Sequence, residues 1–188
     1  MTMARFEFHA TLLAGLKVVQ RQVADDDRGF FSRLFCADEF VPAGWALPIA
    51  QINHSMTRTQ GALRGLHFQR PPHADMKLVS CLRGEVFDVA VDVRRDSPTF
   101  LAWHAEILSA DNRRSLLIPE GFAHGFQALQ ANCELVYLHS TAYHPPSEGA
   151  LHALDPVLSI RWPLPIGEMS PRDSAHAWLV PGDPGVGA

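Results

Sequence analysis

In this chain of 188 residues, several ionisable side chains fall inside apolar, strand-like runs where a β core would exclude them. Arg64 and His67 lie in ALRGLHFQ at 62–69, Lys77 in MKLV at 76–79, and Asp88 and Asp92 in EVFDVAVDV at 85–93. His124 follows in IPEGFAHGF at 118–126 and Tyr137 in LVYL at 135–138. Burying such groups costs free energy unless they pair, and sites of that kind carry shifted pKa values and titratable-group chemistry. A barrel interior that holds one small ligand would gather them. Singly, a histidine or tyrosine on a strand is more often a satisfied structural group, and Lys77 alone can reach solvent. The weight lies in all of them sharing one small β chain.

Metal chemistry is the other possibility for such a set. Ten histidines are present, yet no two are spaced i, i+2, the spacing that points two imidazoles from one strand into a barrel. Assembly of three histidines, or two and a carboxylate, from scattered positions is the only route left. No metal is expected.

The elements that must position these groups are strands. Fourteen prolines and thirteen glycines are spread along the chain, and short runs of period-two alternation lie between them. The clearest is 85–93, where Phe87, Val89, Val91 and Val93 face one way and Val86, Asp88, Ala90 and Asp92 the other. Further strands are expected at 12–19, 29–35, 47–55, 61–68, 76–82, 100–108, 115–119, 122–129, 133–140 and 157–162. Turn signals such as Arg83-Gly84 and Ser97-Pro98 separate them. Eleven short strands with almost no helical periodicity predict an all-β sandwich or barrel, of which the jelly roll is one form. One short helix is expected near the end, with Ser170 as N-cap, Pro171 at the first helical position and Asp173 behind it. Residues 1–180 read as one domain and 181–188 as a disordered tail.

Composition narrows the class. The chain is 47% hydrophobic and 19% charged, which excludes a disordered polymer. No apolar run approaches the roughly 20 residues that span a bilayer, so no membrane association is expected. The apolar patch at 10–16 lacks the order of a signal peptide. Cys36, Cys81 and Cys133 are odd in number and widely spaced, as reduced cytoplasmic thiols are. A formal charge of −4 argues against a nucleic-acid partner.

Six motifs, in order, resemble the dTDP-4-dehydrorhamnose 3,5-epimerase family of metal-free cupins. They are RGLHFQ at 64–69, Pro71-Pro72 followed by Lys77-Leu78-Val79, GEVFDVAVD at 84–92, SPTF at 97–100, PEGFAHGF at 119–126 and IRWP at 160–163. The likeness runs from about Asp27-Arg28-Gly29 to Asp173. It implies a cupin-type β jelly roll with a short C-terminal helical segment, no cofactor, and a nucleoside-diphosphate 4-keto-6-deoxy sugar as substrate. Protons on C3 and C5 of such a sugar lie α to the C4 ketone. Removing one yields an enolate, so the reaction needs a base on one face, a cation at the oxygen and an acid on the other face.

Carried over by motif, His67 resembles the base and Asp173 the carboxylate that orients it, although Asp173 is from local sequence alone an equally good helix-capping acid. Lys77 resembles the group at the enolate oxygen. Tyr137 resembles the acid, since a phenol of pKa ~10 is protonated at neutral pH. For the nucleotide, the resemblance points to Arg28, Gln51, Asn53, Arg64, His124, Glu148 and Arg172 as polar contacts and to Tyr143 as a stacking ring. Arg64 and His67 differ by three, so a regular strand would aim them at opposite faces. A backbone irregularity at Gly65 is therefore predicted.

The likeness has exceptions. Arg33, also expected at the substrate, stands where an acidic residue is usual. Ile52 replaces a usual Asp, Leu138 a frequent Lys, and the 54–60 loop is one residue longer. The catalytic set is complete while the specificity shell is altered, so the nucleotide base stays open. Epimerisation at C3 or C5 alone, a non-catalytic sugar-binding cupin and an iron-dependent cupin oxygenase are the alternatives. The resemblance also implies a homodimer that shares an N-terminal segment or strand, and exposed sheet edges favour pairing independently.

Overall fold

The alternating runs become antiparallel strands. In the computed structural model, which describes residues 5–180 and 182, thirteen strands follow in chain order. They are β1 (Phe6–Ala10), β2 (Lys17–Arg21), β3 (Val23–Asp26), β4 (Gly29–Ser32), β5 (Gln51–Thr57), β6 (Leu63–Gln69) and β7 (Lys77–Arg83). Then come β8 (Glu85–Asp92), β9 (Trp103–Ser109), β10 (Arg114–Ile118), β11 (Phe122–Ala128), β12 (Cys133–His139) and β13 (Glu148–Ala150). Helix α1 (Ala37–Phe40) precedes β5, and α2 (Pro171–Ser174) lies near the end.

Two sheets pack face to face, one ordered β1-β2-β10-β7-β12-β5 and the other β13-β6-β11-β8-β9; β3 and β4 form a separate two-stranded ribbon. This is the expected jelly roll. Between the sheets lies a core in which Val79, Leu116, Ile118 and Leu135 from one meet Val86, Ala90, Leu108 and Phe126 from the other. The alternation of β8 thus has two destinations. Val86 and Ala90 enter this inner core, whereas Val89, Val91 and Val93 face outward beneath Leu151, Ala153 and Leu158. Across the molecule, Phe40 and Trp45 cover Leu78, Leu117 and Leu138 on the outer face of the six-stranded sheet.

Several predicted boundaries are corrected. Residues 157–162 form no strand: Leu158 and Trp162 pack on the outer face of the five-stranded sheet and the Trp162 indole N–H donates to Ala153 O, so their alternation reflects packing without a ladder. The expected strand at 12–19 starts only at Lys17, after a turn at Gly15 with φ +89° and an exposed Leu12. Strands β1, β3 and β13 and helix α1 were not expected. Helix α2 was, and the Ser170 side chain caps it by accepting from the Asp173 N–H at 3.0 Å. The tail expected at 181–188 falls outside the described residues apart from Gly182. Among the described residues, no helix is long and apolar enough to cross a membrane.

Candidate active site

Of the ionisable residues in the apolar runs, Arg64, His67, Lys77, His124 and Tyr137 line one cavity of about 610 Å³ between the sheets. Asp88 and Asp92 do not, Asp92 being held by Arg94, Ser97 and Thr99. His67 and Arg64 reach it from β6, His124 from β11, Lys77 from the start of β7, Tyr137 from β12, and Gln51 and Asn53 from β5. Tyr143, Glu148, Arg172 and Asp173 close one side. The predicted irregularity is present: pairing of β11 with β6 shifts register between His124 and Phe126, and Gly65 has φ +114°. A Cβ at Gly65 would lie 2.6 Å from Gly125 Cα, so only glycine lets the two strands approach this closely. Arg64 and His67 consequently both reach the cavity.

His67 Nε2 lies 2.8 Å from Asp173 Oδ1, and the Gly65 N–H donates to Asp173 Oδ2 at 3.3 Å. Burial raises the Asp173 carboxyl, but hydrogen bonds from His67, Gly65 and Ser170 outweigh it and hold it below the ordinary carboxylate range. Asp173 is therefore an anion ready to face an imidazolium. A second pair lies deeper. His124 Nε2 is 2.9 Å from Asp88 Oδ2, Asp88 is fully buried, and its Oδ1 has no partner. Here burial prevails over His124 and Lys77 and pushes the carboxyl up.

Lys77 is 10% exposed; its ammonium donates to His67 O at 3.1 Å and stands 3.9 Å from Asp75 Oδ1. Asp75 is shared with His139, whose Nδ1 lies 2.9 Å from Oδ2. The Tyr137 hydroxyl is 3.2 Å from Ser55 Oγ, and burial drives its pKa far above the phenol value, so it is a proton donor at any physiological pH. At the mouth, Gln51 donates to Asn53 and accepts from the Tyr143 N–H, while Glu148 receives the Tyr143 hydroxyl at 2.8 Å and pairs with Arg172. The arrangement offers an imidazole poised by a carboxylate on one sheet, a protonated phenol on the facing sheet, and an ammonium between polar walls.

Two expected residues are not brought to the cavity of their own chain. Arg28 sits in the β3–β4 turn with its guanidinium on Asp26, and Arg33 follows β4 and pairs with Glu39 at 2.5 Å. Conversely, Ser55, Gln69, Asp75, His139, Thr141 and Glu168 line the cavity without having been singled out. Ser55 and His139 follow Asn53 and Tyr137 by two, so alternation alone would have found them. Asp75 precedes its strand and carries no such signal.

The chain is similar to known proteins over most of its length. The family model described as dTDP-4-dehydrorhamnose 3,5-epimerase matches residues 10–180. The chain is 43% identical over 171 residues to the dTDP-4-dehydrorhamnose 3,5-epimerase of Salmonella typhimurium, covering 90% of this chain and 93% of that one. It is 42% identical over 149 residues to a dTDP-4-dehydrorhamnose 3-epimerase of Streptomyces niveus, covering 79% and 72%. Among solved structures, a dTDP-6-deoxy-D-glucose-3,5-epimerase from Legionella pneumophila in complex with dTDP-4-keto-L-rhamnose superposes with a TM-score of 0.86 at 44% identity, covering 90% of each chain.

Proposed function

The chain belongs to the dTDP-4-dehydrorhamnose 3,5-epimerase family and is an epimerase, and from that premise we propose that it inverts both C3 and C5 of a nucleoside-diphosphate 4-keto-6-deoxyhexose, the dTDP-4-dehydro-6-deoxyglucose to dTDP-4-dehydrorhamnose type of reaction. The observation that carries this reading is the His67–Asp173 pair and the Tyr137 hydroxyl lining one cavity from facing sheets. His67 takes a proton α to the ketone, and Asp173, an anion, stabilises the imidazolium that results. The C–H electron pair moves into the ring and negative charge collects on the C4 oxygen, which the Lys77 ammonium neutralises in a site of low dielectric. Tyr137 then delivers a proton to the opposite face of the same carbon. Exchange with solvent restores the proton to Tyr137 and removes it from His67. No cofactor enters this sequence.

Epimerisation in D2O tests it, read by NMR of the recovered sugar. Deuterium at both C3 and C5 supports the proposal, label at one carbon supports a mono-epimerase, and none leaves a binding protein. Identity does not separate the first two outcomes, since the relatives named for one and for two carbons are matched at 42% and 43%. Tyr137→Phe sharpens the assignment: proton exchange should persist while inversion falls roughly 10²-fold, the scale of one positioned acid.

The nucleotide is assigned to the polar mouth formed by Gln51, Asn53, Arg64, Glu148 and Arg172, with Tyr143, half exposed, offered to the base. A homodimer completes this reading. The β3–β4 ribbon pairs with neither large sheet and exposes Phe30 by 58% and Phe31 by 65%, an apolar surface suited to a second copy. A ribbon that crosses to that copy would carry Arg28 and Arg33 to a cavity they do not reach in their own chain.

A further inference from the structure

Next to the His67–Asp173 pair stands a third ligating group that the epimerase reading does not use. His176 follows Asp173 by three residues, just past α2, and its Nε2 lies 3.9 Å from Asp173 Oδ1. That nitrogen is buried and has no hydrogen-bond partner. The ring meets His67 edge to face, with centroids 6.0 Å apart at 81°. One ligand atom from each of His67, Asp173 and His176 falls within 4.8 Å of the other two. This is the assembly of two histidines and a carboxylate from scattered positions that histidine spacing alone cannot reveal.

We propose that His67, Asp173 and His176 form a binding site for a borderline divalent transition-metal ion of the zinc class, and that the bound ion switches the epimerase off. Two imidazole nitrogens and one carboxylate oxygen suit zinc, cobalt or nickel, whereas magnesium and calcium demand an oxygen shell. With metal–ligand bonds of about 2.0–2.1 Å, a tetrahedral ion holds its ligand atoms a little over 3 Å apart. The separations from Asp173, 2.8 and 3.9 Å, bracket that spacing and the third lies within 4.8 Å, so side-chain adjustments of about one to two ångströms close the site. His67 is 35% exposed and gives access, leaving the fourth position for water. The neighbouring Arg172 is paired with Glu148 and presents no free cation against the ion. On binding, neutral His67 changes tautomer: Nε2 releases to solvent the proton it shares with Asp173 while Nδ1 takes one up. The Nε2 lone pair passes to the metal, and Nδ1, now protonated, cannot accept the substrate proton. The switching consequence rests on His67 being the base; binding rests on the geometry alone.

The test uses full-length protein freed of metal by chelation, compared as wild type, His176→Ala and His176→Gln. Cobalt(II) binding is read by visible absorption and zinc(II) binding by calorimetry, with solvent-deuterium exchange into the 4-keto sugar followed in parallel. The expected result is one ion per chain, bound at least about tenfold more weakly in both variants, with exchange lost as the site fills and restored by chelator. The glutamine variant keeps side-chain volume, so a folding defect in the alanine variant leaves the comparison intact. Absent binding, or wild-type affinity in His176→Gln, overturns the site. Binding that needs His176 yet leaves exchange running overturns the switch, and with it the assignment of His67 as base, while the site itself stands.

Discussion

The two histidine–carboxylate pairs share a scaffold and differ in everything around it. His67 and His124 are direct cross-strand partners of β6 and β11, and each meets a carboxylate within 2.9 Å. Asp173 arrives from the far end of the chain on a capped helical turn, and its oxygens receive the Gly65 N–H besides the imidazole. Asp88 comes from the middle of a central strand, has one oxygen unpartnered and is sealed from solvent. Burial pushes both carboxyls up, but only at Asp173 do hydrogen bonds reverse the outcome. Identical residue types therefore yield a well hydrogen-bonded anion beside a partly exposed imidazole and, a strand away, a buried carboxyl with weak support beside a buried imidazole. In the proposed mechanism proton abstraction falls to the first pair, while of the second only His124 lines the cavity.

Activity is where that contrast should be widest. His67→Gln should lower the turnover of the 4-keto sugar by about 10³-fold, the contribution of a positioned general base. His124→Gln, which preserves a polar tip beside Asp88, should lose about tenfold at most, the effect of an outer-shell partner. Steady-state kinetics of both variants decide the matter, and equal losses would erase the distinction drawn here. Next in size is the contact that holds the pairs side by side. A Cβ at Gly65 would stand 2.6 Å from Gly125 Cα and 2.7 Å from His124 O, at a positive φ. Gly65→Ala should cost about 3 kcal/mol, lowering the melting temperature by roughly 6–12 °C in calorimetry. Asp173→Asn should reduce turnover by about 10–100-fold, and Asp88→Asn by much less, because outer partners act through the ligand or base they orient.

How legible this contrast was in the sequence depends on the kind of signal. Strand alternation placed His67, Lys77, Asp88, His124 and Tyr137 among apolar neighbours, and the cavity that all but Asp88 line follows from that pattern. The three-residue spacing of Arg64 and His67 demanded the irregularity found at Gly65. Asp173 was ambiguous, and it serves both readings: its N–H is capped by Ser170 while its carboxylate meets His67. Asp75 and His176 lie in irregular segments, where no period tells which way a side chain points, and they join the site only through tertiary packing. The apolar alternation at 157–162 misled for the converse reason. A segment can pack every second residue against a sheet without joining its backbone ladder.

The smallest effect is also the one that separates the environments most directly, because it depends on sign. An Asp whose native pKa lies below its unfolded value of about 3.9 adds stability above that pH and surrenders it as pH falls through the native value. Asp173 is of this kind. A carboxyl whose native pKa is raised behaves oppositely: the unfolded chain ionises first, so the native state loses relative stability as pH climbs from about 4 towards the raised value. Asp88 is of that kind. Melting temperatures of Asp173→Asn and Asp88→Asn, each measured relative to wild type from about pH 2 to about pH 7, should thus move in opposite directions, the first below about pH 5 and the second above about pH 4. Asp173→Asn should lose ground as pH rises, because wild type gains a stabilising anion that the amide cannot supply. Asp88→Asn should gain ground, since an amide still offers His124 an acceptor and carries no charge to bury. Parallel slopes would mean that the two carboxylates feel the same surroundings, whatever their depth.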